Sequence, residues 1–145
     1  MNIEEIQELW DIDCQIDSNH LGEQATDTPK LHAKYIRELI QYKLKLVKLR
    51  AEYHALRKNK FRYYRGEMSR DELKQLGWDQ YQGVKLLKAD MDEFLKGDEE
   101  LSKIETRVEY LETGVYLLES ILGQIKSRDW EIKSHIEWKK FLAGM

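Results

Sequence analysis

The sequence predicts an all-α fold, an elongated helical hairpin or bundle, and three observations carry that expectation. The 145-residue chain has one proline and eight glycines, too few breakers for a turn-rich β fold. Valine occurs four times while Leu, Lys and Glu dominate, a composition that favours helix over strand. Two segments carry apolar residues stepping by three and four without a miss, the heptad pattern of packed helices. The length fits a single domain over 1–145, read as an N-terminal part, 1–97, and a C-terminal helical part, 98–145.

Residues 3–12 place Ile3, Ile6, Leu9 and Trp10 at helical spacing, a short amphipathic helix. Residues 14–27 lack periodicity and read as a connection. Thr28 then offers an N-cap and Pro29 suits a first helical position. A long helix is expected from there to about Tyr64, roughly 54 Å at 1.5 Å per residue. Its seam is Tyr35, Leu39, Tyr42, Leu46, Leu49, Tyr53 and Leu56. A second row, Ile36, Ile40, Leu44, Val47 and Ala51, lies beside it and predicts a helix buried on two faces. Gly66 ends this helix, and Ser69 to Glu72 form a capping box for a short helix to about Leu76. Residues 77–97 fit either a helix or a small irregular or extended segment.

Order returns at 98–126, where Leu101, Ile104, Val108, Leu111, Val115, Leu118, Leu122 and Ile125 form an unbroken seam. A separate last helix is expected at about 129–142, carrying Trp130, Ile132, Ile136, Trp138 and Phe141. The seams either pack within one subunit or are shared with neighbouring copies. Sharing is the expectation, because two aromatic-bearing faces exceed what one small domain buries.

The net charge of -3 is unevenly spread. Between Lys43 and Arg65 stand nine Lys or Arg against one acid, Glu52, so this stretch carries +8 and the remainder -11. Such a field lets an acidic protein hold a polyanion along one stripe. A lone Cys14 excludes an internal disulfide and suits a reducing compartment. No apolar run reaches the length of a membrane span, and the N-terminus is acidic rather than signal-like. A soluble intracellular protein without a membrane partner is expected.

Catalytic signatures are missing. Neither a GxxxxGK[ST] nor a GxGxxG run occurs. His20, His32, His54 and His135 are scattered, and none pairs with Cys14 at metal-ligand spacing. The acidic run around Asp90, Asp92, Glu93 and Asp98 lacks the glycine turn of a calcium loop. No serine sits in a nucleophile elbow. The expectation is a non-enzyme with no catalytic residue, metal or cofactor.

The informative stretch is LRKNKFRYYRG, residues 56–66. Arg57, Lys58, Lys60, Arg62 and Arg65 alternate with Phe61, Tyr63 and Tyr64. Single-stranded nucleic acid asks for both ingredients, cations for phosphates and flat rings for unstacked bases. On a helix, Arg57, Lys60 and Tyr64 share one face, and Lys58, Arg62 and Arg65 another. A solvated basic helix end, favoured by the helix dipole, has the same composition. Lys43, Lys45, Lys48 and Arg50 either extend the path of a strand or only solubilise the helix. Composition leaves three readings open: single-stranded DNA binding, a helical scaffold whose basic stripe holds an acidic protein partner, and RNA binding.

LRKNKFRYYRG resembles the basic-aromatic motif of the UvsY family of phage recombination mediators, a Lys-x-Arg pair, an aliphatic residue and a Tyr-Tyr-x-Gly end. IKSRDWEIKSHIEWKKFLAG (125–144) is similar to a second shared block, and LLKADMDEFLKGD (86–98) to a middle block, LxADxDxLKxD. Ile16-Asp17-Ser18 also matches, so the resemblance spans nearly the whole chain. It implies a homo-oligomeric ring, hexameric or heptameric, that binds single-stranded DNA without sequence preference. It also implies that the ring loads a RecA-like recombinase onto DNA covered by single-strand-binding protein, in the cytoplasm of an infected host cell. Arg57, Lys58, Lys60, Phe61, Arg62, Tyr63, Tyr64 and Arg65 become the candidate DNA-binding residues. Lys58 and Lys60 fall where the family places its DNA-contacting basic pair. Lys60 stands for the family's arginine and loses its planar fork. Arg62 occupies a position that is acidic in the family, and the loop after Gly66 is not Gly- and Asp-rich as the family's is. The resemblance gives the C-terminal helices, and with them the Leu101–Ile125 seam, a role in assembly.

Overall fold

The computed structural model describes residues 1–145 and consists of five helices with no strand. They are α1 (Ile3–Asp13), α2 (Leu21–Tyr64), α3 (Arg70–Leu76), α4 (Lys88–Lys96) and α5 (Glu99–Leu142). The all-α expectation holds, and 77–97 resolves into an irregular stretch followed by α4, with no extended pairing. None of the helices is long and apolar enough to cross a membrane.

The chain forms two contact units, one of Met1–Lys45 with Leu111–Met145, the other of Leu46–Tyr110. This division differs from a split at 97/98, because α2 and α5 each contribute to both units.

In the first unit, Ile6, Tyr35, Leu39, Tyr42, Leu118, Ile121, Leu122 and Ile125 form the core. An Asn2–Glu5 capping box starts α1. At its other end, Arg128 donates to the carbonyl oxygens of Asp13 (3.3 Å) and Gln15 (3.2 Å), which closes α1 with a charged fork. The Tyr35 hydroxyl donates to Asp13 at 2.8 Å and the Tyr42 hydroxyl to the Met1 carbonyl at 2.7 Å. Each buried ring thereby keeps its polar end satisfied. Gly114 has no side chain because the Tyr42 ring fills the space a Cβ would need.

Two boundaries differ from expectation in this unit. Helix α2 begins at Leu21 and not at Pro29, which lies inside it. A proline there removes one backbone bond. The start is held instead by Gln24, whose side chain accepts from the Asp17 amide and donates to the Asp17 and His20 carbonyls. Thr28 is buried, and its hydroxyl donates to the Gln24 carbonyl at 3.2 Å rather than capping the helix. Helix α5 also runs on through 126–129 without a break. The polar triplet Ser127-Arg128-Asp129 imitates a turn in sequence, but Arg128 faces inward to the end of α1.

The second unit has a smaller core of Met91, Leu95 and Leu101, covered by Tyr53, Leu56, Phe61, Tyr64 and Leu86. The Ser69–Glu72 capping box is present on α3, which ends at Gly77 in the left-handed region (φ 70°). Gly66 (φ 68°) likewise follows α2.

The seams are used inside the subunit. Leu118, Leu122 and Ile125 lie in the first core with Leu111 and Val115 packed against it. Leu101 lies in the second core, and Ile104 and Val108 are half-buried. Leu101, Leu118, Leu122 and Ile125 are therefore taken up by the subunit's own cores, and the other four seam residues keep part of their surface. Helix α2 is not buried on two faces, since Ile40, Leu44 and Val47 are more than half exposed. The large exposed apolar side chains of α5 are others: Tyr110, Tyr116, Trp130, Trp138, Phe141 and Leu142.

Candidate nucleic-acid interface

The basic-aromatic motif occupies the last turns of α2, where the helical period sorts its side chains. The seam that reaches Tyr53 and Leu56 continues, four residues on, at Lys60. Lys60 is only 7% exposed. Its ammonium lies 3.1 Å from Asp98 and 3.5 Å from Glu100, and 4.3 Å above the Trp78 ring. A cation so enclosed is spent on the fold and not presented to a phosphate. This corrects the expectation that Lys58 and Lys60 act as a pair, and the missed signal was the seam itself.

Asp98, between α4 and α5, is the centre of this knot. It receives the Leu101 amide at the start of α5 (3.0 Å), the Tyr64 hydroxyl (2.7 Å) and the Lys60 ammonium. Burial acts to push its carboxyl up, but those three donors outweigh it and hold the group below the usual carboxylate range. Burial, then the bond to Asp98, pushes the Tyr64 phenol well above its ordinary value.

The remaining rings are engaged as well. Tyr63 meets Tyr64, Trp78 and Tyr81 edge-on at 5.3–5.6 Å, and its hydroxyl donates to the Asp79 carbonyl. Tyr64 packs edge-on against Tyr81 and Phe94. Phe61 covers the second core and carries the Arg65 guanidinium over its face at 5.6 Å. Phe61, Tyr63 and Tyr64 are thus the walls of an aromatic cluster rather than open stacking platforms. Trp78, Tyr81 and Asp98 were not foreseen, because no spacing rule ties residues 60–64 to positions so far along the chain.

The other cations divide by exposure. Arg62 makes a two-pronged bond to Glu72 (2.9 and 3.0 Å), which holds that carboxyl below its usual range, reinforced by the Ser69 amide. Arg65 pairs with Glu67 at 3.1 Å, and Arg57 lies 3.6 Å from Asp92. Lys43 lies 3.5 Å from Glu119. The fold therefore brings acids onto much of the +8 stretch. Lys45, Lys48 and Lys58 are exposed on α2, and Lys58 is the member of the motif's lysine pair that faces solvent. Exposed surface pairs such as Arg57–Asp92 are worth little and yield readily to phosphate. The motif is best described as a rigid aromatic base that presents Lys58 and Arg57. No group of three or more His, Cys, Asp or Glu side chains is placed to hold a metal ion.

A family model described as "Recombination, repair and ssDNA binding protein UvsY" matches residues 9–145. The chain belongs to the UvsY family. Among UvsY proteins, the recombination protein uvsY of Enterobacteria phage T4 is 27% identical over 144 residues, covering 99% of each chain. A crystal structure of the bacteriophage T4 recombination mediator protein UvsY (lattice type II) superposes with a TM-score of 0.86 at 25% identity, covering 99% of this chain and 98% of the other. A second UvsY crystal form (lattice type IV) gives 0.81 at 25% identity, covering 97% and 98%. The all-helical architecture is thus that of UvsY, and the chain is a phage recombination and repair protein of the single-strand-binding kind.

Proposed function

We propose that this protein is a recombination mediator that loads a RecA-like recombinase onto single-stranded DNA covered by single-strand-binding protein, in the host cytoplasm. The observation that carries the reading is the family match over 9–145, in a chain whose basic stretch displays exposed Lys45, Lys48, Lys58 and Arg57 along one helix. Phosphates bind those cations, and copies of the site are repeated around a hexameric or heptameric ring. Repetition converts weak single contacts into tight binding through effective concentration. The exposed Trp130, Trp138 and Phe141 of α5 supply contact surface between copies, in place of the buried seam.

The test measures affinity for single-stranded DNA against salt. Lys58→Ala lowers the slope of log K against log salt by about 0.7 for each phosphate contact removed. ATP hydrolysis by a RecA-like recombinase on protein-coated single strands rises when the mediator is added, and rises less with Lys58→Ala. A protein that ignores single strands at low ionic strength, or leaves the recombinase excluded, overturns the reading.

A further inference from the structure

The acids that folding brings to the exposed arginines of the motif hold them in different ways. Glu72 grips Arg62 with two bonds and also accepts from the Ser69 amide, so it belongs to the α3 cap. Glu67 meets Arg65 from two residues along the chain. Asp92 is delivered by a separate helix. Met91 and Leu95 are buried in the second core and fix α4 there, and Asp92, beside Met91, stands 3.6 Å from the Arg57 guanidinium. We infer that Asp92 is an internal competitor for the phosphate that Arg57 binds, lowering affinity for the single strand and speeding its release to the recombinase. The inference rests on the single-strand-binding reading and names a residue that tunes it.

The chemistry of the pair supports this role. A carboxylate and a phosphate offer a guanidinium the same kind of anionic oxygen, so the two exclude each other at Arg57. The pair is long, and its side chains are 44% and 74% exposed, so solvent reaches it and a phosphate can displace the acid. Displacement does not carry Asp92 away, because its helix stays anchored through Met91 and Leu95. The carboxylate therefore waits beside the occupied guanidinium and recaptures it whenever the phosphate lifts off. Affinity differences at one binding surface are mostly differences in dissociation rate, so a competitor held in place acts chiefly on release. It also blunts the response to salt. A phosphate contact releases cations from the strand, while the freed Asp92 carboxylate draws a cation back from solution. Lys58, the next residue on α2, is exposed and keeps its own contact with the strand while the one at Arg57 is made to break.

The experiment follows oligothymidylate binding to the full-length protein by fluorescence anisotropy across a range of salt, with dissociation read after a chase of unlabelled strand. Asp92→Asn binds about threefold more tightly at low salt for each copy that touches the strand, the scale of an exposed ion pair. Its dissociation slows by a similar factor. The slope of log K against log salt steepens toward the about 0.7 that one unopposed phosphate contact contributes. All three changes vanish when Asp92→Asn is combined with Arg57→Ala. Glu93→Gln, which removes the same charge from the neighbouring exposed position of α4, changes binding far less. At equal saturation of the strand, Asp92→Asn raises ATP hydrolysis by the recombinase less than the wild type does. A gain that persists with Arg57→Ala, that Glu93→Gln matches, or that is missing overturns the competitor while leaving single-strand binding intact. Tighter binding with undiminished recombinase activity overturns the role in release. Wild type that binds no oligothymidylate at low salt overturns the underlying reading instead.

Discussion

Leu118 and Lys60 are both buried residues of long helices, yet they stabilise their units by different means. Around Leu118 the first unit is an aliphatic and tyrosine core, with polar atoms only at its margins. Around Lys60 the second unit encloses an ammonium, a carboxylate and several aromatic rings, and its aliphatic core is three residues. Apolar burial tolerates changes of pH and salt, whereas an enclosed ion pair holds only while both partners are charged. The motif that resembles a DNA-binding signature thus stands on the more conditional of the two units.

The largest expected effect is in the apolar core. Leu118→Ala, at a fully buried position, should cost about 2–5 kcal/mol, read as a loss in urea unfolding midpoint at unchanged slope. Asp98→Ala comes next, at about 3 kcal/mol, because it removes the α5 cap and leaves Lys60 with Glu100 alone. Amide exchange should rise in α3 and α4 while Tyr35 and Ile121 stay protected; uniform loss of protection would erase the contrast between the units. Gly114→Ala should cost about 1–3 kcal/mol by driving a methyl into the buried Tyr42 ring. Thermal unfolding of this variant, with Gly123→Ala as a control in open space, separates crowding from helix propensity.

Acid should then divide the two units. Asp98 and Glu72 have lowered values in the folded protein, so their contribution is present above the unfolded values of 3.8 and 4.5 and is lost as pH falls through the folded ones. His20 behaves oppositely. Its bond to Asp17 raises it above 6.5, so its contribution is present below that pH and fades as pH rises through the raised value. As pH falls below 3.8, near-ultraviolet dichroism of Trp78 should change before that of Trp10. The smallest expected effect on stability is Lys58→Ala, within about 0.5 kcal/mol for an exposed site, while Lys60→Ala should destabilise. If both variants lower DNA affinity with unchanged melting temperature, the division of this lysine pair fails.

Helix content and the α3 cap were legible because each depends on residues a few positions apart, as Ser69 and Glu72 are. The inward face of α2 was legible too, and extending its seam by four residues places Lys60 inside. The start of α2 was hidden because Gln24 anchors it through Asp17 and His20, a polar arrangement with no period. The burial of Lys60 in an ion pair, and the pairing of Arg57, Arg62 and Arg65 with acids, were hidden for a different reason. Asp98, Glu100 and Trp78 neutralise or cover Lys60 from distant positions, and a count of local charge ignores acids that folding delivers. Heptad spacing identified the α5 seam but not its partner, since a seam reads the same whether it meets α2 or another copy.

The Arg128 fork has a consequence for trimmed versions of the protein. Removing residues 1–14 would uncover Tyr35, Leu39 and Ile121 and strip a buried guanidinium of its Asp13 and Cys14 carbonyl acceptors, leaving it Gln15 alone. A shortened chain of that kind would fail first as a folded body, and its silence toward DNA or partners would carry no information about where they dock.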